Sequence, residues 1–160
     1  MKRVDANDAY ALKYLGSKYA AGSRGLRQDW NKALELWARA AELGSSEAHN
    51  AIGDAYLQGL GVEIDRKKAT HHFEIAASLG HEKARYNLGW IEFESDRVDR
   101  AIKHWIISAS SGHSGPMPDI QRAFKRGLIQ TDVYEQTLKA YDVSCAEMRS
   151  KARDGAACFH

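Results

Sequence analysis

The chain has 160 residues, 23 basic and 21 acidic. That length suits one domain with a real core, and the near-neutral balance lacks the basic stripe of a nucleic-acid binder. No apolar run approaches a membrane span. The first eight residues, Met1 to Asp8, hold no hydrophobic signal region, so the expected compartment is the cytoplasm with no membrane partner.

The chain repeats itself. Leu15-Gly16, Ile52-Gly53 and Leu88-Gly89 recur at spacings of 37 and 36 residues, and Tyr19, Tyr56 or Glu92 follows three residues after each glycine. A second pattern follows each with identical internal spacing. It reads Ala33, Trp37, Ala41, Gly44, then Ala69, Phe73, Ala77, Gly80, then Ala101, Trp105, Ala109, Gly112. A fixed period of this size marks stacked two-helix units.

In the second unit, Ala48, Ile52, Ala55 and Tyr56 make the apolar face of a first helix, and Ala69, Phe73, Ala76 and Ala77 that of a second. Gly16, Gly53 and Gly89 fall mid-helix. Glycine there costs about 1 kcal/mol against alanine, so a partner helix is expected against the backbone at each. Asp29 and Asp65 are placed to cap second helices. Gly44, Gly80 and Gly112 suit left-handed C-terminal caps. The third unit is shorter. Glu92 to Ala101 spans 9 residues where Tyr56 to Ala69 spans 13, so a tight turn is expected near Ser95-Asp96, with Asp96 and Asp99 as the replacement cap.

The string from Ala48 through Ile52-Gly53, Tyr56, Gly59-x-Gly61-Val62, Asp65, Lys68-Ala69, Phe73 and Ala76-Ala77 to Gly80 resembles the Sel-one-like repeat, a longer-looped relative of the tetratricopeptide repeat. The resemblance covers residues 8–115. It implies an all-α, right-handed αα-superhelix and service as a protein-binding adaptor. The expected layout is a single helical-repeat domain over 1–160, with repeats at 8–44, 45–80 and 81–112. A partial repeat at 116–127, a capping helix at 131–151 and a tail at 154–160 complete it.

The capping helix carries Tyr134, Leu138, Tyr141, Cys145 and Met148 on one stripe. Covering the open end of the solenoid is one role for it; a homodimer seam is the other, because the spacing also suits a coiled-coil contact. Cys145 is expected as a buried thiol and Cys158 on the tail, with no intrachain disulfide. Two cysteines, neither inside the repeats, fit a reducing compartment.

In two-helix solenoids the first helices line the concave face. The residues phased toward it are Lys13, Tyr14 and Ser17, then Asn50, Asp54 and Leu57, then Tyr86, Asn87, Trp90 and Phe93, continued by Arg122 and Lys125. The resemblance implies that a peptide or protein binds there, and an asparagine amide, donor and acceptor at once, suits an extended backbone. Trp90 is the expected anchor, partly exposed and dispensable to the fold, because Ser17 and Asp54 hold its position elsewhere. The other reading of Tyr86, Trp90 and Phe93 is core packing beneath the missing loop. Trp37, Phe73 and Trp105 are equivalent to one another and structural.

No enzyme chemistry is legible. The chain has no Ser-x-x-Lys, no Gly-x-x-x-x-Gly-Lys, no Cys-x-x-Cys and no His-Glu-x-x-His. His71 and His72 are adjacent and face about 100° apart on a helix, and His49 and His104 stand alone in theirs. No metal and no cofactor is expected. The expected function is a non-enzymatic adaptor; a self-assembling module is the alternative, and an enzyme with an unseen site the remote third.

Overall fold

The computed structural model describes residues 6–23 and 25–156. Among them every regular element is a helix. In chain order these are α1 (Ala6–Ala21), α2 (Trp30–Glu42), α3 (Ser46–Gln58), α4 (Arg66–Ser78), α5 (Glu82–Glu94), α6 (Val98–Ser110), α7 (Met117–Lys125) and α8 (Thr131–Ala156). They form two compact units, divided between Ala84 and Arg85.

In the first unit α1 pairs with α2 and α3 with α4. The mid-helix glycines are where each pair closes. A Cβ on Gly53 would stand 2.7 Å from Phe73 Cε1, and one on Gly16 2.7 Å from Trp37 Cδ1. The aromatic ring of the second helix therefore lies directly on the backbone of the first, and any side chain would displace it. Phe73 is fully buried and Trp37 nearly so. The Trp37 indole also donates to the Lys13 carbonyl at 3.3 Å.

The aspartate caps form as the spacing predicts. Asp29 accepts from the Lys32 amide at 3.0 Å and Asp65 from the Lys68 amide at 3.1 Å, with the same extended backbone, φ −143° and ψ 97°. Each cap is tied back by its own amide to the carbonyl of Tyr19 or Tyr56 at 2.9 Å, closing the glycine-rich loop. At the other end of α4, Gly80 has φ 89°, its amide reaches Ala77 O, and the His81 amide reaches Ala76 O. That paired bonding satisfies carbonyls the helix leaves free and needs a left-handed residue.

In the second unit Trp105 covers Gly89 the same way, its indole Nε1 standing where a Cβ there would collide with it. The expected cap at Asp96 and Asp99 does not form. Arg97 occupies the N-cap position with no side-chain bond. Asp96 instead takes φ 63°, its amide bonding Phe93 O and the Arg97 amide bonding Glu92 O. It ends α5 in the left-handed position that glycine fills elsewhere, a conformation aspartate tolerates better than most residues. An Asp96 committed to ending α5 is not free to start α6.

The last helix runs to Ala156, past the expected end at 151, and Thr131 opens it. Gln121 and Thr137 are separated by 16 residues, as are Gly89 and Trp105. Thr137 is buried, its hydroxyl donating to the Val133 carbonyl of its own helix at 2.8 Å. The stripe on α8 is spent mostly on neighbours: Tyr134 stacks on Phe124 at 4.1 Å, Cys145 lies 3.9 Å from Gly112 O, and Met148 Cε crowds Gly112. Cys145 is half-buried rather than buried. Cys158 lies outside the described residues. No described helix is long and apolar enough to cross a membrane.

Candidate functional site

The residues phased onto first helices do not share one environment. Lys13 is ion-paired with Glu47 at 2.5 Å. Tyr14 is exposed, with the Lys18 ammonium 4.9 Å from its ring centre. The Ser17 hydroxyl donates to the carbonyl of Lys13 in its own helix at 3.0 Å. Asn50 is buried, and its amide lies 3.5 Å from Asp54 Oδ2, so it does not stand open to grip a peptide. Burial raises the Asp54 carboxyl, an effect that nearby Lys83 partly offsets. Leu57 is half-buried. None of these six residues lines either of the two cavities described below.

The second unit brings several candidates together. Trp90, Phe93 and Arg122 line one cavity of about 140 Å³. Its apolar wall comes from Val98, Ile102, Trp105 and Ala123, with Leu128 at the edge, and its polar side from Asp119 and Arg126. Asn87 is half-buried and outside this lining, and Lys125 is exposed.

Trp90 is half-buried and meets Trp105 edge-on, ring centres 5.4 Å apart. Phe93 is 40% exposed, 5.6 Å from Trp90 and 5.8 Å from Trp105. Trp90 thus takes part of each reading: it packs on the core tryptophan and also lines the cavity. Phe93 is the open aromatic. The shortened third unit accounts for this, because no glycine-rich loop separates α5 from α6 in sequence and both aromatics close onto Trp105 instead.

A partly buried polar cluster flanks the cavity. Tyr86 donates its hydroxyl proton to Asp119 Oδ2 at 3.0 Å, and Arg122 bonds Asp119 Oδ1. The indole of Trp90 reaches the Tyr86 oxygen. Asp119 is 6% exposed, so its charge needs both partners. Burial pushes the Tyr86 hydroxyl up, and Asp119 adds to the effect. Asp119, Arg126 and Leu128 were not among the sequence candidates. An aspartate in the first turn of α7 reads as a helix-dipole residue, and its partner Tyr86 is 33 residues away.

A second, larger cavity of about 500 Å³ lies in the first unit. Leu34, Ile52, Tyr56 and Val62 give it an apolar lining, with Glu35 and Glu42 on its acidic side. His49 and His72 meet there, Nδ1 to Nδ1 at 3.1 Å, and Tyr56 stacks on His72. His49 is the one histidine of α3, as the sequence shows, and its partner comes from α4; a pairing across 23 residues has no local signature. Burial lowers both imidazoles, His72 to about 4. Among the described residues no three His, Cys, Asp or Glu side chains converge as a metal site.

Paired helices with aromatics seated on glycine backbones, closed by aspartate caps and left-handed glycines, define the two-helix repeat class of all-α proteins. The Sel1 repeat pattern matches residues 5–45, 46–81 and 83–113. The chain belongs to the Sel1 repeat family. It is 32% identical over 103 residues to the ERAD-associated E3 ubiquitin-protein ligase component HRD3B of Arabidopsis thaliana, covering 64% of this chain and 16% of that protein. It is 28% identical over 101 residues to chitin synthase regulatory factor 4 of Schizosaccharomyces pombe, covering 62% of this chain and 16% of that one. The chain thus spans less than a fifth of these curated relatives. A Sel1 repeat protein from Oxalobacter formigenes superposes with a TM-score of 0.72 at 24% identity, over 89% of this chain and 59% of that one. A protective antigen of uropathogenic Escherichia coli with an SLR fold gives 0.71 at 24%, over 92% and 34%. These structural likenesses establish the all-α repeat superhelix as the fold.

Proposed function

We propose that this chain is a non-enzymatic adaptor that receives an apolar side chain of a partner protein in the cavity beside Trp90 and Phe93. The observation that carries this reading is an open aromatic, Phe93, at the edge of a preformed apolar cavity whose walls belong to the repeat core. Exposed aromatics backed by a rigid wall are the usual anchors of protein interfaces. The titratable groups of the cavity are two arginines and Asp119, whose two oxygens are both engaged, which supports a binding role over acid–base chemistry. Two curated relatives are named as a ligase component and a regulatory factor, in keeping with service beside other proteins.

Placing a photoreactive benzoylphenylalanine at position 93 tests the reading, with the exposed position 71 as control. Cross-linking to a discrete partner from 93 and not from 71 supports it. Equal labelling from both positions, or none from 93, refutes it.

A further inference from the structure

The polar side of the Trp90–Phe93 cavity carries more information than its apolar wall. Asp119 is the one carboxylate in the lining; it accepts the Tyr86 hydroxyl and is ion-paired with Arg122. Its partner Arg122 has a side chain 66% exposed. A guanidinium carries five N–H donors, and Arg122 spends them on Asp119 and, at 3.4 Å, the Pro118 carbonyl, so donors remain on its outer edge. Arg126 stands one turn further along the chain, exposed and lining the same cavity. The rim thus presents two guanidinium groups against one carboxylate that is already satisfied.

Resting on the adaptor reading above, we propose that the partner segment is acidic: one bulky aliphatic or aromatic side chain enters the cavity, and an adjacent aspartate or glutamate pairs with Arg122 and Arg126. The volume, about 140 Å³, is that of one large side chain and well short of a small-molecule site. A carboxylate beside the anchor meets forked, weakly hydrated donors. A basic segment meets like charge, and the one carboxylate in the lining is already engaged, so the rim discriminates by repulsion as well as attraction.

The test selects random twelve-residue peptides on the intact chain by phage display. Enriched peptides are then measured by fluorescence anisotropy against the wild type, Phe93→Ala and Arg126→Glu. Arg126 is exposed and Phe93 40% exposed, and thermal melting of each variant checks the fold. The expected result is a set of peptides pairing one large apolar residue with acidic neighbours. Arg126→Glu weakens them at least tenfold, and a peptide with the neighbouring acid changed to lysine recovers binding to that variant. Peptides lost with Phe93→Ala but indifferent to Arg126→Glu, or enriched in basic residues, overturn the acidic inference and leave the cavity as a docking site. Peptides indifferent to both substitutions, or no enrichment at all, overturn both. So does a concentration-dependent dimer abolished by Phe93→Ala, which would make a second copy of this chain the occupant.

Discussion

Replacing Gly53 with alanine sets two well-known effects against each other in one helix. Alanine in place of a helix-interior glycine gains about 1 kcal/mol from propensity and chain entropy. Gly53 has ordinary helical geometry, so nothing in its backbone opposes the change. The added Cβ, however, would stand 2.7 Å from Phe73 Cε1, 2.8 Å from Cδ1 and 3.0 Å from Cζ. Phe73 is completely buried and has nowhere to retreat. Overpacking of this kind costs about 1–3 kcal/mol. The net expectation is a loss of about 1 kcal/mol, against a gain of about 1 kcal/mol if the ring were not seated on the glycine. Urea denaturation followed by far-ultraviolet circular dichroism separates these outcomes. Gly53→Ala combined with Phe73→Leu should lose less than the sum of the two single changes, because the smaller side chain vacates the contested space. A Gly53→Ala variant more stable than the parent, or strict additivity in the double variant, would refute the packing argument.

Removing the cap by Asp65→Ala should cost about 1 kcal/mol, read as a lower urea midpoint, through loss of its bond to the Lys68 amide. Asp96→Gly should raise stability by about 0.5–1 kcal/mol, because a residue at φ 63° favours glycine; an unchanged or lower midpoint would contradict the strain at that turn. The histidine pair should make stability fall with acid. Burial holds His72 at about 4 and also lowers His49, below the ordinary 6.5. Their neutral forms are favoured in the fold, so the contribution is complete above about pH 6.5 and lost as pH drops toward 4. Allowing for solvent screening at these half-exposed rings, the loss is about 1 kcal/mol. His71, Tyr56, Glu35 and Glu42 surround or line the pair and remain in place in a His72→Phe variant, whose melting temperature should depend less on pH over that range.

The repeat was legible because its determinants are local and periodic. Glycine, aromatic, aspartate and capping glycine recur at fixed spacings, and each position has one physical job that the residue type reveals. The third-unit turn misled because aspartate serves equally as a helix starter and as a left-handed stop, and only the backbone tells which. The cavity was half legible. Phase placed Trp90, Phe93 and Arg122 on first helices, but no periodicity shows that Trp90 leans on Trp105 or that Tyr86 reaches Asp119. The same limit hid the pairing of His49 with His72. Contacts between residues 15 to 33 apart depend on how helix pairs stack, and this chain's own repeats differ there: Ser17 and Asp54 stand where Trp90 stands.

The four tryptophans offer the most direct test of where a partner binds. Trp30 and Trp37 lie in the first unit, and Trp90 and Trp105 in the second. Each gives one indole N–H resonance in a nitrogen–proton correlation spectrum, assignable by single Trp→Phe changes. Titrating a peptide selected on the intact chain should move the Trp90 indole signal most and Trp105 next, leaving Trp30 and Trp37 in place. Movement of Trp30 or Trp37 with Trp90 unchanged would contradict the assignment of the binding site to the Trp90–Phe93 cavity.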